Sequence, residues 1–173
     1  MSALDTKERL IQAYDRMMER VRHALDTAEH KTVPPLEHAI QIAREKAVEL
    51  GEISREEAEK VGQYLQRDIH EFAEHLNDTG SELKSWFHMD MELIEAKVVD
   101  LISQVADQTR VELAQLAVSA RSPRLYHCGE ISAPGTLECR ACGELIRFRK
   151  TGHIPPCPKC HGTEYVRLGT GRT

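Results

Sequence analysis

Aromatic residues and long apolar runs are both scarce in this chain. Phenylalanine, tyrosine and tryptophan make up 5% of its 173 residues, which favours helices packed through leucine, isoleucine, valine and methionine. No apolar run approaches the roughly 20 residues that cross a membrane, and the N-terminus is polar and charged rather than signal-like. We therefore expect a cytoplasmic protein with no membrane partner.

Several catalytic signatures are missing as well. The sequence contains no glycine-rich phosphate loop, no G-x-S-x-G turn and no H-E-x-x-H helix, which excludes the enzyme classes defined by those signatures. Glu71, Glu74 and His75 lie close together on one predicted helix, but such proximity is common on a solvated face. We expect a protein that is not an enzyme and has no catalytic residues.

Cysteine is also infrequent, but four of the five cysteines form two C-x2-C pairs. Cys139 and Cys142 make the first pair, and Cys157 and Cys160 follow after fourteen residues. This spacing is typical of a tetrahedral metal site, because each pair suits a tight turn that points two thiolates at one ion. In a reducing compartment such pairs are metal ligands rather than disulfides. We predict one Zn(II) per chain at these four cysteines.

The predicted metal is structural rather than catalytic. A module of about 45 residues buries too little apolar surface to fold alone, so metal binding supplies its folding energy. Four thiolates close the coordination shell, whereas catalytic zinc keeps one position open for water. Iron is the alternative, because rubredoxin-type sites use the same paired cysteines. A rubrerythrin-like di-iron bundle would need Glu-x-x-His motifs, and none of the nine histidines has a glutamate three residues earlier.

The remaining thiol and the nearby histidines are not needed as ligands. Cys128 has no paired neighbour, and we predict a structural or incidental role for it. His127, His153 and His161 could each coordinate a metal. With four cysteines available, we expect these histidines to be surface or hydrogen-bonding residues.

Four helices are predicted before Ser122-Pro123. Apolar residues at three- and four-residue spacing mark segments 3–30, 36–50, 55–76 and 81–120. The first segment carries a heptad seam, which favours a coiled-coil partner or a long bundle. Gly51 is placed to cap the second helix, Ser54 with Glu57 forms a capping box for the third, and residues 77–80 indicate a turn.

The predicted fold is mainly α: long antiparallel helices, in helical hairpins or a coiled-coil-like bundle, followed by a small C-terminal β zinc ribbon. Residues 1–121 form an acidic helical region with 24 Asp and Glu against 15 Lys and Arg. Residues 122–173 form the ribbon and a frayed tail, with 4 acidic and 8 basic residues. The acidic body argues against extensive contact with nucleic-acid phosphates.

Five stretches of the sequence carry a resemblance to a known family. They are residues 43–57, 67–73, 126–130, 137–142 and 157–160, and together they extend over most of the chain. In these stretches the chain resembles the YbeL-like zinc ribbon-containing proteins of bacteria. The resemblance implies a bacterial cytoplasmic protein with a helical N-terminal region, a C-terminal zinc ribbon and the four cysteine ligands. It implies no activity, since the family has no established function. The glycine usual after the second pair is His161 here, followed by Gly162.

Three hypotheses about function follow. The first is a non-enzymatic zinc-binding protein that acts as an interaction module, using its heptad faces to form a homo-oligomer or to bind an unknown protein partner. The second is binding of nucleic acid or the ribosome through a basic face of the ribbon, although alternating arginines can simply solvate an exposed strand. The residues of that basic face would be Arg140, Arg147, Arg149, Lys150, Lys159 and Arg167. The third hypothesis is a rubredoxin-like iron module for electron transfer.

Overall fold

The computed structural model describes residues 3–26, 36–79, 105 and 124–168, and the structural statements below concern these residues. Three helices come first: α1 (Ala3–Asp26), α2 (Leu36–Glu49) and α3 (Arg55–Thr79). Six strands follow in the C-terminal part of the chain. They are β1 (Leu125–His127), β2 (Ile131–Ser132), β3 (Gly135–Cys139), β4 (Leu145–Phe148), β5 (Gly152–His153) and β6 (Glu164–Arg167).

The junction between α2 and α3 forms as its sequence indicates. Gly51 adopts a φ of 66°, in the left-handed region that favours glycine after a helix. The Ser54 N–H donates to the Glu57 carboxylate at 2.8 Å, and the Glu57 N–H donates to Ser54 Oγ at 3.2 Å. This confirms the predicted capping box. At its other end α3 continues to Thr79, so the turn predicted from residue 77 is wrong for residues 77–79.

The three helices pack around one apolar core. From α1 it takes Tyr14, Met18 and Val21, which belong to the predicted heptad seam and are fully buried. Each helix contributes its apolar stripe, and Val105 is also helical and buried there. Two residues from the C-terminal region, Ile131 and Ala133, complete the same core. The main apolar contributions of α2 and α3 are Leu36, Ala39, Ile40, Ala43, Ala47, Ala58, Val61, Leu65, Ile69 and Phe72.

The predicted fold class is wrong. We predicted long antiparallel helices in a coiled-coil-like bundle, but the helices of the described residues have 24, 14 and 25 residues. They are joined to a six-stranded β region rather than to a minor appendage. The physical reason is that the seam of α1 finds its apolar partners within the chain, so no coiled-coil partner is needed to cover it. The longest predicted helix, at 81–120, lies outside the described residues except for Val105.

The β region contains two antiparallel sheets. The larger has the strand order β1-β6-β3-β4, and the smaller pairs β2 with β5. In the larger sheet β3 is central, because Gly135 pairs with Phe148 of β4 and Cys139 pairs with Tyr165 of β6. This region has its own small core, which comprises Tyr126, Leu137, Cys139, Ile154, Cys157 and Tyr165.

Strand β5 and the residue before it contact the first helix. Thr151 Oγ1 donates to the Asp15 carboxylate at 2.8 Å, and one ring nitrogen of His153 lies 3.2 Å from the Lys7 carbonyl oxygen. No helix in the described ranges is long and apolar enough to span a membrane. The predicted domain boundary at residues 121 and 122 lies outside those ranges.

Candidate metal centre and the polar interface beside it

The structure brings the four paired cysteines into one cluster. Their Sγ atoms all lie within 4.8 Å of one another, and both the Cys139–Cys160 and the Cys142–Cys157 sulfur pairs are 3.6 Å apart. A tetrahedral zinc site with Zn–S bonds of about 2.3 Å has S–S edges of roughly 3.8 Å, whereas a disulfide bond is about 2.05 Å long. The cluster therefore fits four thiolates around a single ion.

The two cysteine turns share one backbone geometry. The Gly143 N–H donates to the Cys139 carbonyl at 2.8 Å, and the His161 N–H donates to the Cys157 carbonyl at 2.9 Å. In both turns the N–H of the first cysteine donates at 2.9 Å to the carbonyl five residues later. The matching turns present two sulfurs each, and the sheet places them face to face.

The residue after each pair has a left-handed backbone. Gly143 has a φ of 74° and His161 a φ of 59°, so His161 adopts the conformation that a glycine would take at lower energy. The next residue, Gly162, has a different constraint: an added Cβ would lie 3.2 Å from the sulfurs of both Cys139 and Cys160. Glycine is therefore present at position 162, where a side chain would crowd the thiols, whereas position 161 has room for histidine at the cost of a left-handed backbone.

Backbone N–H groups surround the sulfurs. The Gly162 N–H donates to Cys160 Sγ at 3.4 Å. Burial raises the pKa of Cys157, but the backbone N–H groups of Cys160 and Lys159 lower it more, together with neighbouring thiols, to about 7. Such donors stabilise the thiolate form, which is the form that binds metal.

Cys128 and the histidines are outside this cluster. Cys128 is a free, half-buried thiol. His127 Nδ1 lies 3.2 Å from a Glu130 carboxylate oxygen, and His153 Nδ1 lies 2.9 Å from the Gly129 carbonyl. Among the residues that the structure describes, the four paired cysteines are the one group with metal-ligand geometry.

The six residues of the predicted basic face do not lie together. Arg167 is fully buried. Arg140 forms an ion pair with Glu164 at 3.0 Å, and Lys159 lies 3.9 Å from Glu144. The remaining three are exposed and form no ion pair within the described ranges: Arg147, Arg149 and Lys150.

Arg167 instead belongs to a buried polar group between α3 and the ribbon. We call this group the polar interface cluster: Tyr14, Asp68, Glu71, Tyr126 and Arg167. All five side chains are buried. Arg167 Nε donates to Glu71 Oε2 at 3.1 Å and to the Tyr126 hydroxyl at 3.0 Å, and its Nη2 lies 3.5 Å from Asp68 Oδ1.

Asp68 connects three parts of the fold. Its Oδ2 accepts from the Tyr14 hydroxyl of α1 and from the Ala133 N–H, both at 2.8 Å. Its Oδ1 accepts from the Tyr126 hydroxyl of β1 at 2.9 Å. A buried carboxylate with several donors is stable only while those donors stay in place. The position of Asp68 therefore depends on α1 and the ribbon together.

Arg67 extends the contact at the edge of the cluster. Its guanidinium lies 3.7 Å from the centroid of the Tyr126 ring, a cation–π geometry. It also forms an ion pair with Glu130 and donates to the Ile131 carbonyl at 3.0 Å. Arg67 of α3 thus holds the start of the ribbon.

The Glu71 carboxyl of this cluster has an elevated pKa. Burial raises the pKa of Glu71 to about 7, although Arg167 and the Tyr126 hydroxyl oppose the rise. Its Oε1 is buried and has no hydrogen-bond partner among the described residues. The Tyr126 hydroxyl lies 2.9 Å from Asp68 and 2.5 Å from Glu71, yet it has one proton to donate. A protonated Glu71 removes this conflict.

Sequence reasoning missed this cluster. We interpreted Glu71 as part of a solvated face and Arg167 as part of a basic one, and both interpretations are wrong because both side chains are buried. The signal was in the stretches 67–73 and 126–130. They supply Asp68, Glu71 and Tyr126, and they carry the family resemblance.

Comparisons with known proteins agree with this architecture. The sequence model of a family described as a zinc-ribbon containing domain matches residues 23–168. Uncharacterized proteins named YbeL from Escherichia coli strains K12, O6:H1 and O157:H7 are each 24% identical over 128 residues, or 74% of this chain and 79% of the relative. No solved structure matches. The resemblance predicted from the sequence is confirmed.

Proposed function

This chain belongs to the zinc-ribbon containing domain family, and we propose that it is a non-enzymatic zinc-binding protein. One Zn(II) per chain is held by Cys139, Cys142, Cys157 and Cys160. The observation that carries this proposal is the four-sulfur cluster with its 3.6 Å edges. Four thiolates leave no position open for water, which supports a structural ion over a catalytic one.

The metal is proposed to hold the helical layer as well as the ribbon. Cys139 pairs with Tyr165 of β6, and Arg167 lies two residues further along the same strand. Arg167 is the buried cation that faces Asp68 and Glu71 of α3. If the metal leaves and β6 moves away, the buried carboxylate of Asp68 loses the charge that compensates it and Glu71 loses a hydrogen-bond donor, which is strongly unfavourable in a dry site.

The resulting platform of helices and ribbon is proposed to act as an interaction module in the cytoplasm. A reducing compartment supports this location, since the site needs four free thiols. The heptad residues Tyr14, Met18 and Val21 are buried, so a homo-oligomer would have to use a different surface. Sedimentation of the zinc-loaded protein separates a monomer from a dimer. If the protein is a monomer, the interaction that remains proposed is binding of a different protein.

Metal analysis tests the proposal directly. The purified protein should contain one zinc per chain and be colourless. The Cys157→Ser variant should lose the metal, while the matched Cys128→Ser variant should keep it, because Cys128 is outside the cluster. A red protein with one iron per chain would favour the electron-transfer alternative. Loss of metal from the Cys128→Ser variant would contradict the ligand assignment.

Binding of nucleic acid or the ribosome remains the second candidate. Its support is the exposed group Arg147, Arg149 and Lys150, which is smaller than the predicted basic face. Contact with phosphates makes binding weaken as salt increases. Binding to RNA and DNA that is absent, or insensitive to salt, would contradict this candidate.

A further inference from the structure

Strand β4 forms one edge of the larger sheet. The strand order is β1-β6-β3-β4, so within the described ranges β4 pairs on one side only, with β3. A sheet edge presents unpaired N–H and C=O groups that another extended chain can bind.

The register shows which backbone groups face outward. The Cys139 N–H donates to the Glu144 carbonyl, so hydrogen-bonded pairs recur at every second residue of an antiparallel ladder. Ile146 and Phe148 therefore bond to β3, opposite Leu137 and Gly135. The N–H and C=O groups of Leu145 and Arg147 point away from the sheet.

The same edge carries uncompensated positive charge. Arg147, Arg149 and Lys150 are exposed and have no carboxylate partner among the described residues, whereas Arg140 and Lys159 are both close to glutamates. Side chains alternate along a strand, so Arg147 lies on the face opposite Ile146 and Phe148, and the exposed Arg149 follows directly after β4. Ile146 and Phe148 pack on the ribbon core from the other face. We call Leu145 to Lys150 the cationic edge.

We propose that the cationic edge binds an acidic, extended segment of a partner protein, which adds a strand beside β4. This rests on the proposed function, because the metal cluster must form for the sheet to exist. Backbone hydrogen bonds at Leu145 and Arg147 would provide affinity, and carboxylates at alternate positions would meet Arg147 and Arg149. Two independent features of the cationic edge match such a segment. One is its positive charge, and the other is the set of N–H and C=O groups of Leu145 and Arg147 that point away from the sheet.

Two other occupants fit less well. A second copy joined edge to edge would bring Arg147 and Arg149 close to their own counterparts, and like charges across strands are destabilising. A single-stranded nucleic acid gains most from exposed aromatic rings. Here Tyr126 and Tyr165 are buried and Phe148 packs against the core.

Peptide binding to the zinc-loaded full chain tests the proposal. The probe is a labelled peptide of about eight residues, near the usual length of a strand, with glutamate alternating with threonine. The matched probe has glutamine in place of glutamate, and a labelled RNA of similar length is the third. Fluorescence anisotropy should show binding of the acidic peptide at least tenfold tighter than that of the glutamine peptide. Hydrogen exchange should slow at the Leu145 and Arg147 amides.

Variants separate charge from backbone pairing. Arg147→Glu combined with Arg149→Glu should weaken acidic-peptide binding at least tenfold, and Arg147→Pro should weaken it by removing an outward N–H. The Arg140→Gln variant, on the same ribbon but outside β4, should bind like the wild type. Zinc content is measured on every sample, so loss of the metal site is distinguished from loss of peptide binding.

Three results would overturn the proposal. The first is no acidic-peptide binding by a protein that holds one zinc, which would mean that the arginines only prevent pairing between edges. The second is equal binding of the glutamine peptide. The third is RNA binding that depends on Arg147 and Arg149 while the acidic peptide does not bind.

Discussion

The helical layer and the ribbon each have a different source of stability. The helices share a large apolar core, to which each contributes a stripe of buried residues. The ribbon core is small and includes two of the cysteines. Short strands around so few apolar side chains cannot offset the entropy of ordering the chain. The helical layer is therefore stabilised by apolar burial, whereas we propose that the ribbon is stabilised by its metal.

The contact between the two regions combines apolar packing with buried charged groups. Ile131 and Ala133 of the ribbon insert into the helical core. Beside them Arg167 meets the buried carboxylates Asp68 and Glu71. A buried charge group adds little net stability when intact but is costly to break. We therefore expect the interface to transmit loss of the metal to helices that do not touch it.

The largest expected effect is loss of the metal. Cys157→Ser should abolish zinc binding and unfold the ribbon, because structural zinc contributes about 10 kcal/mol or more to the folding of such modules. Circular dichroism and metal content measured on the same sample check this. A variant that keeps a folded ribbon without metal would show that the ribbon has a sufficient core after all.

The next effect comes from the interface. Arg167→Met should lower the free energy of unfolding by about 3–5 kcal/mol, because it leaves the buried carboxylate of Asp68 without its cation and Glu71 without a hydrogen-bond donor. Adding Asp68→Asn and Glu71→Gln to the same protein should restore part of that loss.

The control for this effect is Arg140→Met. Arg140 is an exposed arginine paired with Glu164, and its removal should cost less than about 1 kcal/mol. Urea unfolding of the wild type and the three variants makes the comparison. Equal costs for the two single variants would mean that the polar interface cluster does not join the regions.

The pH dependence of stability sharpens the role of Glu71. In the folded protein its carboxyl keeps a proton up to a pH of about 7, whereas the unfolded chain releases it near 4.5. The folded state binds more protons in this window, so stability should fall as pH rises from 5 to 7 and level off above that. The fall attributable to Glu71 should be at most about 3 kcal/mol.

Urea unfolding at several pH values isolates this contribution. The difference in unfolding free energy between the wild type and Glu71→Gln should change with pH in the stated direction. The matched Glu56→Gln variant alters an exposed carboxyl whose pKa is lowered by Lys60, and it should show no such slope in this window. A wild-type advantage over Glu71→Gln that increases with pH would contradict the assignment.

The smallest effect concerns the second cysteine turn. His161→Gly should stabilise the zinc-loaded protein by up to about 1 kcal/mol, because glycine adopts the left-handed backbone without strain. Gly143→Ala, at the matching position of the first turn, should destabilise it by a similar amount. Thermal unfolding at saturating zinc measures both. If both variants stabilised the protein, or both destabilised it, the two turns would not be equivalent.

The sequence was most informative where the signal is local. The capping box at Ser54 and Glu57, the cap at Gly51 and the clustering of the paired cysteines depend on residues close along the chain, or on a spacing that suits a single ion. The coiled-coil prediction failed because a heptad seam does not specify its partner, and α1 uses its seam within the chain. Glu71 and Arg167 were misplaced because they are 96 residues apart. Burial of such a pair depends on tertiary packing, which neither residue shows alone.

We expect one metal to hold both the helical layer and the ribbon. This expectation is tested by hydrogen exchange on the zinc-loaded protein, and again after chelation of the zinc. We predict that chelation removes protection from β6 and also from residues 67–72 of α3, which do not contact the metal. If β6 loses protection while residues 67–72 keep theirs, the two regions are held independently and the account is contradicted.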